Sequence, residues 1–165
     1  MSNVKIRKAK IKDELFLEVE YTEDLAGHSK KDTKLSCTVP IHNDLKETFK
    51  KFPKHLALLC DDSEIGDEDK VYEVKGFSIG GNDENEGVTL SGSKEGSYGL
   101  VNLNSPFQKW EKSEYHGISE SSQEVEAAIY EINQYLFHGK KAPDQQLSLF
   151  EDAAEAEESF SEETI

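Results

Sequence analysis

Residues 15–21, LFLEVEY, place Leu15, Leu17, Val19 and Tyr21 on one side of an extended chain and Glu18 and Glu20 on the other. That period of two is the signature of a half-buried strand. Residues 3–11 alternate as well, through Val4 and Ile6 and then Ala9 and Ile11, with a change of phase near Lys8. Lys12, Asp13 and Glu14 supply a turn between the segments, so the pattern predicts a hairpin. After a polar stretch, TEDLAGHSKKD, which reads as a loop, TKLSCTV at 33–39 alternates again through Leu35, Cys37 and Val39.

The period then lengthens. Ile41, Leu45, Phe49, Phe52, Leu56 and Leu59 recur every three or four positions, one face of a helix. Asp44 followed by Glu47 has the spacing of a capping box. Pro53 kinks this helix or begins a second short one. The acidic segment DDSEIGDEDK closes the unit.

A second set of strands follows. In VYEVKGFSI, Tyr72 and Val74 are out of phase with Phe77 and Ile79, and Gly76 lies at the slip, which predicts a bulge. GGNDENEG is rich in turn formers. VTLSGS, with Val88 and Leu90, and LVNLNSPF, with Val101 and Leu103, read as two further strands. SSQEVEAAIYEINQYLFHGKK is the clearest helix, with Val125, Ala128, Ile129, Ile132 and Leu136 as its apolar stripe. Ser121 and Glu124 fit a capping box, Gly139 stands at the C-cap, and Lys140 and Lys141 suit the negative end of the dipole.

The order β3-α-β3-α predicts an α+β domain over residues 1–141, an antiparallel sheet with helices on one face. An OB-like barrel also places a helix after its third strand and is the alternative architecture. Residues 142–165 read as a disordered acidic C-terminal tail.

Charge sharpens this division. The chain carries −15 in total. Residues 1–141 hold all 19 basic residues against 26 acidic ones, while residues 142–165 hold eight acidic residues and no basic one. A domain at −7 lacks the clustered cations of an unaided nucleic-acid binder. Its one basic strip, VKIRKAKIK, carries Lys5, Arg7, Lys8, Lys10 and Lys12 and reads first as a solvated edge strand guarded by lysines. A weak single-stranded DNA surface drawn from Lys5, Arg7, Lys8, Lys10 and Trp110 is the competing assignment, with SPFQKWEKSEYHG as the best exposed aromatic segment. No apolar run approaches a membrane span. MSNVKIRKAK has no signal-peptide core, and two cysteines, Cys37 and Cys60, make no disulfide framework. The expectation is a cytoplasmic protein with both cysteines as small buried hydrophobes.

No catalytic residues, cofactor or metal site emerge from spacing. His28, His42, His55, His116 and His138 are scattered, and none has a second His or a Cys three or four positions away. DDSEIGDED lacks the ligand spacing of a calcium loop. Gly80 and Gly81 open no helix, so they form no phosphate loop.

The remaining signal is QLSLF. Gln146, Leu147, Ser148, Leu149 and Phe150 place three large apolar side chains in an otherwise acidic, low-complexity stretch. The run resembles the pentapeptide by which DNA polymerases, mismatch-repair proteins and other replication factors bind the bacterial sliding clamp. That pattern is Gln, Leu, Ser or Asp, Leu, Phe, and all five positions match. From average residue usage, Gln-Leu-x-Leu-Phe arises by chance at on the order of one in 10⁵ positions. The resemblance covers five residues and implies nothing about the folded domain. It implies that Leu149 and Phe150 fill an apolar pocket, Leu147 an adjoining groove, and that Gln146 hydrogen-bonds at the rim. Concentrating affinity in a few anchors suits a peptide that orders on binding.

The expectation is thus a non-enzymatic DNA replication or repair accessory protein recruited to the sliding clamp. Its small size and extended motif suit a bacteriophage or mobile-element protein. Two alternatives are a single-stranded DNA-binding protein with an acidic regulatory tail, and a DNA mimic that inhibits host replication. The competing reading of the motif is a short continuation helix that packs Leu147 and Phe150 on the domain.

Overall fold

In this computed structural model the described residues are 3–27, 29–60 and 72–143. They form a mixed α+β unit. Strands β1 (Asn3–Lys12), β2 (Phe16–Leu25) and β3 (Ser29–Ser36) precede two short helices, α1 (Asn43–Phe49) and α2 (Pro53–Leu59). Strands β4 (Tyr72–Gly80), β5 (Gly87–Gly96), β6 (Gly99–Asn104) and the two-residue β7 (Gln108–Lys109) then lead to the long helix α3 (Ile118–His138). The sheet is antiparallel, in the order β3-β2-β1-β4-β5-β6, with β7 also on β5. Among the described residues it is an open path with no pairing between β3 and β6, so it is not an OB-like barrel.

Alternation along the strands builds the core. Leu17, Val19 and Tyr21 of β2, Ile6 and Ala9 of β1, Phe77 and Ile79 of β4, and Val88 and Leu90 of β5 are all buried in one cluster with the helices. From α1 and α2 come Leu45, Phe49, Phe52 and Leu56, and from α3 Val125, Ala128 and Ile132. Phe49, Phe52 and Phe77 meet with ring centroids 5.3–6.1 Å apart. Such aromatic contacts contribute about 0.5–1.5 kcal/mol each beyond the area they bury.

Both predicted slips are real. The β1–β2 register shifts between Ile6 and Lys8, and the β4–β5 register shifts between Val74 and Gly76. Several boundaries differ from expectation. TEDLAGHSKKD is mostly strand, because β2 runs to Leu25 and β3 begins at Ser29. The α1 cap is His42, whose Nδ1 accepts from the Asp44 amide at 3.0 Å, so Asp44 is not the cap. At Pro53 the second of the two expected outcomes holds: a second short helix, α2, begins there, with proline in the first turn where its missing N–H costs nothing. Helix α3 starts at Ile118, three residues before Ser121 and directly after the bare N-cap Gly117, and Ser121 is buried inside it. Gly139 ends α3 at φ +73°, a left-handed C-cap.

The lysine strip is not on an edge. β1 lies inside the sheet between β2 and β4, and its lysines stand on the open face. There Lys8 stands opposite Glu20 and Lys10 opposite Glu18 in the strand register, and Lys12 approaches Glu18 at 3.9 Å, so the lysines face a complementary acidic row. Cys37 and Cys60 are free and only partly buried.

The chain beyond α3 is pinned. Lys141 bridges Ile41, the Ala142 amide donates to the Pro40 carbonyl at 3.1 Å, and Ala142 is buried. Gln146–Phe150 and the acidic segments 61–71 and 144–165 lie outside the described residues. No helix among the described residues is long and apolar enough to cross a membrane.

Candidate functional site

Two places concentrate chemistry. The first is a split in the sheet. β1 and β4 pair only at Lys8–Ser78, Ala9–Phe77 and Lys10–Gly76, although β1 continues to Lys12 and β4 begins at Tyr72. Gly76 permits this junction: a Cβ there would stand 2.6 Å from the Ala9 carbonyl oxygen. Next to it the bulge turns β4 away, and a groove of about 1180 Å³ opens between the two halves of the sheet, beside Phe49 and Pro53. Five lysines line it, Lys10, Lys12, Lys46, Lys50 and Lys75, against Asp13, Glu14 and Glu73. Lys50 is paired with Glu47 at 2.8 Å and Lys12 approaches Glu18 at 3.9 Å. Lys10, Lys46 and Lys75 make no ion pair among the described residues.

The groove gathers part of the predicted nucleic-acid set and scatters the rest. Lys10 is in its wall. Lys5 is ion-paired with Glu86, and Trp110 packs against the core with its amide on the Glu86 carbonyl at 3.0 Å. Neither Arg7 nor Lys8 lines the groove. The rings of SPFQKWEKSEYHG form no platform, because Tyr115 is half-buried on a histidine and Trp110 is held on the core, which leaves Phe107 as a single exposed ring in the segment. The aromatic residues in the groove, Phe49 and Tyr72, are buried, so it offers charge and amide groups in place of stacking faces.

The second place joins α2 to the start of α3. His55 is 1% exposed, and both ring nitrogens are engaged. Nδ1 lies 2.6 Å from the Tyr115 hydroxyl and Nε2 lies 2.7 Å from Glu124 Oε1. Glu120, one turn before Glu124, accepts from Lys54 Nζ at 2.6 Å. Gly117 makes room for the tyrosine: a Cβ there would come within 2.7 Å of the Tyr115 ring. The Ser113 hydroxyl accepts from the Tyr115 amide at 3.0 Å and fixes the approach. The cluster borders a 430 Å³ pocket that also reaches Leu58 and His116.

Burial, with Glu120 and Glu124 nearby, pushes the Tyr115 hydroxyl up to about 12, which keeps it a neutral phenol. The hydrogen bond from Lys54 holds the Glu120 carboxyl below its ordinary range. Burial raises the Cys37 thiol, the wrong direction for a nucleophile, and neither cysteine lines the histidine pocket. The donor atoms of His55, Glu120 and Glu124 lie within 4.8 Å of one another, the one such group of His, Cys, Asp and Glu side chains among the described residues.

Sequence spacing misses this cluster, since His55 is 69 positions from Glu124. The one local trace is Glu120 and Glu124, four apart on a helix. Compared with protein-family models, curated proteins and solved structures, the chain matches none.

Proposed function

We propose that the protein is a non-enzymatic accessory factor of DNA replication or repair, recruited to the bacterial sliding clamp by Gln146–Phe150. The complete five-position match to the clamp-binding pentapeptide carries this reading. Its placement supports it. Ala142 is pinned to the domain, and three residues of sequence, 143–145, lie between it and Gln146. At about 3.3–3.6 Å per residue, the eight steps from Ala142 to Phe150 span at most about 29 Å. A docked clamp therefore sits close to the end of the domain where Pro40, Ile41 and Lys141 meet.

The lysine groove favours one elaboration, in which the domain holds single-stranded DNA while the peptide holds the clamp. Without strand binding, the chain occupies the clamp pocket and excludes host polymerases, and its −15 charge suits a DNA mimic. Bacteriophage or mobile-element origin fits either role.

Titration of purified clamp against the full chain and its Leu149→Ala/Phe150→Ala variant tests recruitment. One anchor of this kind costs about 2 kcal/mol or more on truncation, so the double variant should bind at least ~30-fold more weakly even if the two losses do not add, at 1.4 kcal/mol per tenfold. Equal affinity rejects recruitment by this peptide.

A further inference from the structure

We propose that His55, Glu120 and Glu124 form a binding site for a divalent transition-metal ion of the zinc class. The donor set is one imidazole nitrogen and two carboxylate oxygens, and two of its three members, His55 and Glu120, line the adjoining pocket. One imidazole with two carboxylates suits Zn²⁺ better than Mg²⁺, which favours oxygen ligands and retained water.

Three features of the geometry fit a metal. The orienting partner is already in place: with Nε2 on the ion, the ring proton resides on Nδ1 and is donated to the Tyr115 oxygen 2.6 Å away. Metal-bound histidines almost always use their second nitrogen in this way. The histidine is also held rigidly, buried among core residues on a helix, whereas the Glu120 side chain is 53% exposed and able to swing. Zinc bonds of ~2.0–2.2 Å place tetrahedral ligand atoms roughly 3.3–3.6 Å apart, so in a set now within 4.8 Å Glu120 rotates inward while Glu124 draws back from its 2.7 Å contact with Nε2.

Charge points the same way. Two carboxylates one turn apart on a helix repel. Here the Lys54 ammonium sits on Glu120 and the His55 ring on Glu124, and each offsets part of that repulsion. A divalent ion between the carboxylates neutralises both and competes with Lys54 for Glu120. The inference is independent of clamp recruitment.

The test uses the full chain, stripped with a chelator and titrated with Zn²⁺ by calorimetry and thermal melting. Because the chain has 34 acidic residues, weak binding elsewhere is expected, and the readout must be residue-specific. One saturable site and a zinc-dependent rise in Tm are expected. Glu120→Gln, at a half-exposed position, should melt like the parent without metal and lose about tenfold or more in zinc affinity. Lys54→Met should bind zinc more tightly, because its competitor for Glu120 is gone. Co²⁺ in place of zinc should give a visible absorption band that Glu124→Gln removes. No saturable site, or equal zinc affinity in the parent and Glu120→Gln, overturns the assignment.

Discussion

The Tyr115 hydroxyl and His55 Nδ1 meet at 2.6 Å across 60 positions of sequence. Their hydrogen bond ties the segment after β7 to α2, and Glu124 on the opposite nitrogen ties α2 to α3. Three separate pieces of chain therefore converge on one buried ring. A buried ring nitrogen without a partner is costly, so each of these contacts supports the others.

Tyr115→Phe should destabilise the domain by about 1–3 kcal/mol, the cost of leaving a buried polar group unsatisfied. Gly117→Ala should also destabilise it, through the 2.7 Å approach to the tyrosine ring and not through backbone strain, since Gly117 has φ −88°. A double-mutant cycle in urea separates these causes. In a Tyr115→Ala background the Gly117→Ala penalty should largely vanish; full additivity would show that the ring is not what crowds the glycine.

Gly76→Ala tests the junction of the two half-sheets. Its new methyl would sit 2.6 Å from the Ala9 carbonyl oxygen, a backbone atom that cannot rotate away. Only three residue pairs join β1 to β4, so little pairing is available to absorb the shift. Overpacking of this kind costs about 1–3 kcal/mol, measurable as a lower urea midpoint. An unchanged midpoint would mean that the strands do not approach this closely.

The two hydrophobic periods made most elements readable, and the misreadings have physical causes. Beyond Tyr21 the β2–β3 hairpin is held by polar pairs, such as the Thr22 hydroxyl on Asp32 at 2.8 Å and Glu23 opposite Lys31, so its apolar alternation stops early. Lysines on the open face of an interior strand produce the same alternation as lysines guarding an edge. Only the pairing partners distinguish them. Helix α3 hid its start because Gly117 offers no capping side chain. The histidine cluster was illegible because its members come from α2, a loop and α3, brought together by packing. The lysine groove was equally hidden, since Lys10, Lys46 and Lys75 are remote in sequence. QLSLF shows the reverse: readable as sequence, it lies outside the described residues.

Lys140 bridges Asp44 and Glu131, each at 2.8 Å, and so joins the start of α1 to the end of α3. Its hydrogen bond with Asp44, then that with Glu131, raises the Lys140 ammonium above the ordinary lysine range, and the same lysine lowers Asp44. For Asp44 the folded value lies below the unfolded one, so its contribution is present above about pH 3.8 and is lost as pH falls through the folded value. For Lys140 the contribution is complete below the ordinary value of 10.5 and disappears as pH rises through the folded value. Asp44→Asn should therefore be less stable than the parent near neutrality, with the gap closing in acid. Denaturation midpoints from pH 2 to pH 8 read this directly; a gap that is constant with pH would assign the loss to something other than charge.

The groove makes a quantitative prediction about salt. If its five lysines contact the phosphates of a single strand, log K should fall against log salt with a slope of about −0.7 per contact, or roughly −3.5 in all. Reversing Lys10, Lys46 and Lys75 to glutamate removes three contacts and should reduce the slope to about −1.4 or abolish binding. Lys8→Glu serves as the control, because Lys8 stands opposite Glu20 on the open face and lines no part of the groove. Fluorescence anisotropy with a labelled oligonucleotide at several salt concentrations measures all three proteins. Buried Phe49 and Tyr72 provide no stacking face, so affinity should depend on salt and little on base composition. No measurable binding by the parent at low salt would leave the peptide at 146–150 as the recruiting element and remove DNA from the domain's role.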